Sequence, residues 1–468
     1  MSTNRTPSPW RPSRRTFLQS GLAGAGAALA GSRARAATPA PPNFLVIVTD
    51  QLGMDALSAH GCPDVHTPNI DRLVRRGVTF VESHSTNPVC SPARSSIFTG
   101  RMPVETGVIS NSRPIHDSVP NMGQWLSRAG YDTAYCGKWH LPGGYPVDIP
   151  GFSVFPVGAG QGDLVDNIVS RTSEGYLRNR TAKAPFLLVS SLLQPHDICY
   201  WAIHGKRLVP EELPFPEIAG QLPELPPNHR ARPAAPAKLA ERIYEGFSDL
   251  QWRYYLYIYY RQIEMADAEI GRILDALDDT GLADNTVVIF TADHGDGRGR
   301  HMHVSKWYPY EEAVKVPLVV SCPGRLAEGV RDDTHLVSGL DIMSTVCDLA
   351  GVAPPEHLRG RSLRPLLEGL PAEWREFVCA EIQIVGRMLR TERYKYVIYE
   401  DDPVEQLFDM KADPWETKNL YDDAACADVL ADHRRLLAEW QARLRPVPPT
   451  RDYEHPGQWR RQQQRKGA

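Results

Sequence analysis

The sequence predicts an α/β protein: buried, mostly parallel strands alternate with helices, and a smaller C-terminal region of α+β texture holds an antiparallel sheet. Three observations carry this. Several continuous apolar runs end in charged or polar residues, as strands buried on both faces do. Amphipathic stretches with glycine stops lie between them. From about residue 375 the texture changes to short strand-like runs followed by one helical stretch.

The elements follow in order. "NFLVIVTD" (43–50) is a continuous apolar run ending in a carboxylate, and "TPNIDRLVRRGVTF" reads as a helix turning into the next strand. "VCSPARSSIFTG" (89–100) reads as a short helix, with Ser91 the expected N-cap, Pro92 in the first turn and Gly100 the stop. Cys90 then sits at the positive end of a helix with Arg94 one turn further on, which is an anion site by local chemistry. The bland alternative is a small buried hydrophobe that happens to precede a helix. "NMGQWLSRAGYDTAYCGKWH" repeats the pattern of helix, Gly130 stop and strand, and delivers Lys138 and His140. "APFLLVSSLLQPHD" runs out into His196 and Asp197. In "EMADAEIGRILDALDDTGLADNTVVIFTADHGD" an amphipathic helix ends near Gly281 and a strand delivers Asp293 and His294. Four strand ends each supply polar or charged groups, and open α/β sheets bind ligands beyond the carboxyl ends of their strands.

Residues 207–237 are Pro-rich and aperiodic, a surface insertion that either borders a cleft or forms a passive loop. "REFVCAEIQ", "GRMLRTERYKYVIYED" and "EQLFDM" read as antiparallel strands, and "CADVLADHRRLLAEWQARL" as a helix. The expected organisation is a leader over 1–36, a main domain over 37–370, a C-terminal α+β subdomain over 371–455 and a polar tail over 456–468.

Bulk properties narrow the function. A chain of 468 residues with 42% hydrophobic residues can bury a large core, and its length suggests two or three domains. A net charge of −4 gives no reason to propose nucleic acid as a partner. Beyond the N-terminal region no apolar run approaches the roughly 20 residues of a membrane span, so no stable membrane anchor is expected. "SRRTFLQSGLAGAGAALAGSRARA" pairs Arg14–Arg15 with a weakly apolar Ala/Gly stretch and a small-x-small site at Ala34-Arg35-Ala36. This is the pattern of a twin-arginine export signal, and it implies a periplasmic or secreted protein that engages the Tat export machinery. That route carries folded proteins, so a disulfide framework is not expected of the eight cysteines. None is paired at zinc-type spacing, and apart from Cys90 most read as core fillers.

Taken together, "CSPAR" followed by "TGR" resembles the formylglycine signature of the sulfatases, within the alkaline phosphatase superfamily. "TPNIDRL", "GKWH", "QPHD", "TADHGD", "YEEAVKVPLVV" and "LFDMKADPWETKNL" resemble further sulfatase blocks in the family's order, over nearly all of the chain after the leader. The resemblance implies an alkaline phosphatase-like fold with a large mixed, mostly parallel sheet. It also implies a sulfuric ester hydrolase of the arylsulfatase-like type, acting on a sulfated carbohydrate or another sulfate ester.

By the same resemblance, a formylglycine-generating maturation enzyme would oxidise Cys90 to formylglycine (3-oxoalanine). One hydroxyl of the hydrated aldehyde would attack sulfur, and loss of a proton from the other would release sulfate. A covalent route of this kind splits one hard step into two easier ones. Asp50, Gln51, Asp293 and His294 resemble the family's metal ligands, with residue 90 completing the shell. Oxygen-rich ligation points to one Ca²⁺, with Mg²⁺ or Mn²⁺ as alternatives. Arg94, Lys138 and Lys306 would hold the sulfate oxygens. His140 would act as base, and His196 with Lys306 would protonate or steady the leaving oxygen. Many members carry a second aspartate where Gln51 stands. Glutamine occurs there in some relatives, including phosphonate monoester hydrolases, which leaves a phosphonate or phosphate ester hydrolase as the alternative reading. His301 and His303 resemble a metal pair, but at i, i+2 spacing in a Gly-rich loop they are expected to be substrate-facing or merely exposed.

Overall fold

The computed structural model describes residues 40–451 apart from 142–147, 158–160, 205–210, 214, 242, 384–385 and 401. The expected twin-arginine leader, the expected 456–468 tail and part of the Pro-rich insertion lie outside the described residues.

Fourteen strands are described. They are β1 (Asn43–Asp50), β2 (Gly77–Phe80), β3 (Ser83–His84), β4 (Asp132–Gly137), β5 (Ser153–Phe155), β6 (Phe186–Pro195) and β7 (Thr286–Ala292), followed by β8 (Leu318–Ser321), β9 (Val330–Asp332), β10 (Val337–Ser338), β11 (Phe377–Ile382), β12 (Gly386–Thr391), β13 (Tyr394–Tyr399) and β14 (Asp402–Asp409). Eight form one sheet in the order β5-β4-β6-β1-β7-β8-β2-β9. All neighbours run parallel except β8, which is antiparallel to both β7 and β2. The sheet is therefore mixed and mostly parallel.

The continuous apolar run of β1 has its reason here. The strand lies between β6 and β7, and all eight of its residues are buried. Successive side chains alternate faces, so Leu45 and Ile47 enter one core while Phe44, Val46 and Val48 enter the other. Each such side chain contributes about 1.5–3 kcal/mol by leaving water. Helix Asp249–Asp279 supplies the first core with Trp252, Tyr255, Tyr259 and Ile263. Helices Cys90–Thr99 and Leu340–Ala350 supply the second with Ile97, Phe98, Ile342 and Met343. With helices on both faces, the carboxyl ends of the central strands are where the chain places polar groups.

The C-terminal sheet is a four-stranded antiparallel meander, β11-β12-β13-β14. Alternation again divides it. Leu389, Tyr396 and Leu407 pack with Leu430 and Leu437 of helix Ala427–Ala442, while Ala380, Ile382, Met388 and Val397 pack with Val314.

Two local expectations are corrected. Helix Cys90–Thr99 begins two residues earlier than read, with Val89 at the N-cap in place of Ser91. The Ser91 hydroxyl does not cap; it donates to the carbonyl of His140 at 2.6 Å. The Pro-rich insertion is not loose along its whole length, because Asn228 and His229 are buried. Asn228 donates to the Trp415 carbonyl at 2.9 Å, and His229 Nδ1 lies 2.6 Å from the Gly299 carbonyl. Among the described residues no helix is long and apolar enough to cross a membrane.

Candidate active site

Asp50 at the end of β1, Lys138 just beyond β4, His196 just beyond β6 and Asp293-His294 just beyond β7 meet at the carboxyl edge of the sheet. Helix Cys90–Thr99 points its first residue into the same place. Two glycines permit this crowding. A Cβ on Gly137 (φ 100°) would fall 2.0 Å from the Ser191 carbonyl oxygen, and one on Gly295 would fall 2.0 Å from that of Glu312. Four non-glycine residues here take left-handed backbone: Gln51 (φ 70°), His140 (φ 63°), Ser305 (φ 67°) and Trp307 (φ 87°). The last two flank Lys306. Such conformations cost of order 1–3 kcal/mol each and persist where the surroundings enforce them, most often at functional sites.

Cys90 is fully buried, with Lys306 Nζ 2.9 Å, His294 Nε2 3.2 Å and Asp50 Oδ1 3.7 Å from its sulfur. Burial and the Asp50 carboxylate push the thiol up, but Lys138, Lys306 and His294 outweigh them and hold it well below the usual thiol range. A buried sulfur beside two lysines and an imidazole sits in surroundings unlike those of an inert, core-filling thiol. Cys90 is buried, as the bland reading expects, but its neighbours are charged and polar rather than apolar.

Arg94 is clamped. Its Nε donates to Asp293 at 2.8 Å, one terminal nitrogen to Asp50 at 3.1 Å, and the other to the Lys138 carbonyl and the Ser191 hydroxyl, both at 2.8 Å. A guanidinium has five N–H groups, so one is left for a substrate oxygen, and the larger task of Arg94 in this geometry is to hold the two carboxylates. Lys138 Nζ lies 2.6 Å from Asp50. Burial raises the Asp50 carboxyl, but Lys138, His196, Arg94 and Lys306 keep it well below the usual carboxylate range. Burial and the neighbouring Asp50 instead carry Asp293 up to about 6.

The rim is formed by Lys138 and His196, whose side chains are 13% and 24% exposed while Asp50 and Arg94 are at 0%. Burial and the two lysines hold His196 neutral, with its pKa lowered to about 4. Burial and Lys138 lower that of His140. The Nδ1 atoms of both histidines are buried without a hydrogen-bond partner among the described residues.

Asp50, Cys90, Asp293 and His294 each place one ligand atom within 4.8 Å of the others, and all four are buried. His294 Nδ1 lies 2.8 Å from the Gly295 carbonyl, so it carries the proton and leaves the Nε2 lone pair facing the cluster. Two carboxylates, an imidazole nitrogen and the Gln51 amide oxygen make a donor set that fits a hard divalent cation.

His301 and His303 are not exposed. They are 1% and 2% exposed. His301 stacks on Tyr310 at 4.2 Å and His303 on Tyr308 at 4.1 Å. Their loop folds inward, under the segment that carries Lys306, and no spacing rule reports that. Sequence reading also passed over Asp296, Ser191, Tyr259 and Cys199. Asp296 accepts from Gln51 Nε2 at 2.6 Å, and Tyr259 donates to the Gln51 carbonyl at 2.8 Å. Cys199 is buried, but its sulfur lies 3.1 Å from Gln51 Oε1, so it borders the site rather than merely filling core. Only Asp296, inside the quoted "TADHGD", stood next to residues already singled out.

The chain is similar to known proteins along most of its length. A family model described as Sulfatase matches residues 42–352, and one described as N-sulphoglucosamine sulphohydrolase, C-terminal, matches residues 299–443. A Delta 4,5-hexuronate-2-O-sulfatase of Bacteroides thetaiotaomicron is 32% identical over 461 residues, which cover 89% of this chain and 92% of that enzyme. A choline-sulfatase of Rhizobium meliloti is 29% identical, covering 82% and 83% of the two chains. Among solved structures, a 2-O GAG sulfatase superposes with a TM-score of 0.76 at 29% identity, covering 89% of this chain and 98% of that one. The phosphonate monoester hydrolase of Agrobacterium radiobacter superposes with a TM-score of 0.71 at 26% identity, covering 86% and 95%.

Proposed function

The chain belongs to the sulfatase family and is a sulfuric ester hydrolase, and from that premise we propose that it removes sulfate from a sulfated carbohydrate through a formylglycine formed at Cys90. The carrying observation is the convergence of Lys138, Lys306 and the Cys90 sulfur at a strand edge where the Lys138 and His196 side chains reach partial exposure. The saccharide assignment draws on relatives named for a hexuronate, for N-acetylglucosamine and for ulvan.

The hydrated aldehyde would supply the nucleophile, and a divalent ion, Ca²⁺ on this donor set, would supply Lewis acidity from Asp50, Gln51, Asp293 and His294. Lys138 and Lys306 draw the ester's sulfonate oxygens in and offset the charge that builds on them. Arg94 keeps Asp50 and Asp293 ionised and aimed. His140, neutral and with an open Nδ1, takes the proton that must leave for sulfate to be released. His196 is neutral too, so it offers the leaving oxygen an N–H hydrogen bond, while Lys306 is the charged donor. Export by the twin-arginine route to the periplasm, after maturation by a formylglycine-generating enzyme in the cytosol, is supported by Arg14–Arg15 and the Ala34-Arg35-Ala36 site.

The test is kinetic and chemical. Parallel kcat/KM values on a sulfated disaccharide, 4-nitrophenyl sulfate and an aryl phosphonate should favour the sulfates, and a preference for the phosphonate would overturn the substrate assignment. Mass spectrometry of the tryptic peptide Gly77–Arg94 should show the lower mass of an aldehyde at residue 90. Active protein with an unmodified thiol there would overturn the mechanism.

A further inference from the structure

Gln51 is the amide of the candidate ligand set, and an amide can present either an oxygen or an N–H₂ group to a cation. Only the oxygen ligates. The surroundings of Gln51 decide which end faces inward. Its Nε2 lies 2.6 Å from Asp296 Oδ2. Its Oε1 lies 2.9 Å from Lys306 Nζ and 3.1 Å from the Cys199 thiol. Turned the other way, the amide would set N–H₂ against an ammonium and a thiol, and its oxygen against a carboxylate, so every one of these hydrogen bonds would be lost inside a buried site.

Asp296 is itself held in place. It is fully buried, accepts from the Arg298 backbone N–H at 2.8 Å, and lies 3.4 Å from the Tyr255 hydroxyl. The backbone of Gln51 is fixed as well, by its left-handed φ of 70°, its N–H to Asp293 at 3.1 Å and the Tyr259 hydroxyl on its carbonyl. The backbone of this ligand is thus held at three points, and Asp296 holds the nitrogen end of its amide. We propose that Asp296 is a positioning residue that sets the polarity of the Gln51 amide, so that Oε1 faces the metal site. The inference rests on the reading of Gln51 as a metal ligand.

The experiment titrates calcium chloride into metal-free protein by calorimetry, for wild type, Asp296→Asn, and the double variant Gln51→Glu with Asp296→Asn. The asparagine is isosteric and still accepts from Arg298, but it turns N–H₂ toward Gln51 and favours the flipped amide. Asp296→Asn should weaken calcium binding about 10–100-fold. The double variant rebuilds the hydrogen bond with donor and acceptor exchanged and should recover most of that loss. Because the added carboxylate strengthens calcium binding by itself, Gln51→Glu alone is titrated as the reference: a merely structural role for Asp296 predicts that Asp296→Asn weakens binding there as much as it does beside Gln51, and that result overturns the proposal, as does unchanged affinity in Asp296→Asn. Absence of calcium binding by wild type would instead defeat the reading of the ligand set. A crystal structure of calcium-loaded wild type tests the same point without any variant. Gln51 should span the ion and Asp296, and a side chain swung clear of Asp296 overturns the proposal.

Discussion

Two of the buried charge clusters among the described residues use the same ingredients to opposite ends. Where the C-terminal sheet meets the main sheet, Lys395 is fully buried and stands 2.8 Å from Glu311 and 2.7 Å from Glu416. It also donates to the Pro309 carbonyl at 3.0 Å. Glu416 in turn accepts from the Glu311 backbone N–H at 2.8 Å. Glu311 also faces His84 at 3.4 Å and Lys315 at 3.9 Å, so the charges there are answered from several segments, and the result is a fastener between parts far apart in the chain. At the strand edge, Arg94, Lys138 and Lys306 face the two carboxylates Asp50 and Asp293, and they surround a sulfur atom. The excess is positive and is directed at one reactive position. Burial strengthens charge interactions in both places, and what separates a fastener from a reaction site is whether the charges cancel among themselves.

The largest effect that would break this comparison is on turnover. Cys90→Ala should lower kcat by at least about 10⁴-fold while leaving the urea midpoint essentially unchanged, since it removes the reacting group and little packing. Retained multiple turnover would place the nucleophile elsewhere. The mirror experiment is Lys395→Met, which leaves Glu311 and Glu416 buried without their cation. It should cost about 3–5 kcal/mol of unfolding free energy in urea titrations, with kcat per folded molecule within about twofold of wild type. A large loss of kcat there would show that the two clusters are coupled.

A finer test separates leaving-group assistance from binding. His196→Gln should slow a sugar sulfate about 100-fold, yet barely affect 4-nitrophenyl sulfate, whose phenolate leaves unaided. Equal losses on both would remove His196 from that role. The smallest effect concerns proton linkage in the fastener. Burial raises the Glu416 carboxyl from 4.5 to about 7, so its stabilising proton is fully present below the unfolded value and is lost as pH rises through about 7. Glu416→Gln keeps the neutral form at every pH. Its stability relative to wild type should therefore improve by roughly 1 kcal/mol between pH 6 and pH 8. A pH-independent difference would contradict the raised value.

Much of the reaction site was legible because it is carried by short, local patterns. The run into Asp50, the helix opening at Cys90 and the strand delivering Asp293-His294 are each set by neighbours within a few residues, and the structure brings them together. What escaped reading depends on distant partners. Asp296 matters through Gln51, 245 residues away in the chain. His301 and His303 are buried because Tyr310 and Tyr308 fold over them. The fastener was not foreseen at all, since nothing near Lys395 in sequence distinguishes it from a solvated strand lysine.

The sequence by itself determined the alternation of strands and helices, the faces of β1 and the kinds of groups placed at the strand ends, because hydrophobic period, capping and backbone preference act over a few residues. Only the tertiary structure decided which charges cancel and which remain: that Arg94 is absorbed by two carboxylates, that His196 stays neutral between two lysines, and that Gln51 turns its oxygen inward. Electrostatic and hydrogen-bond outcomes of that kind follow from distance and burial in space, and those are fixed only when segments hundreds of residues apart pack against one another.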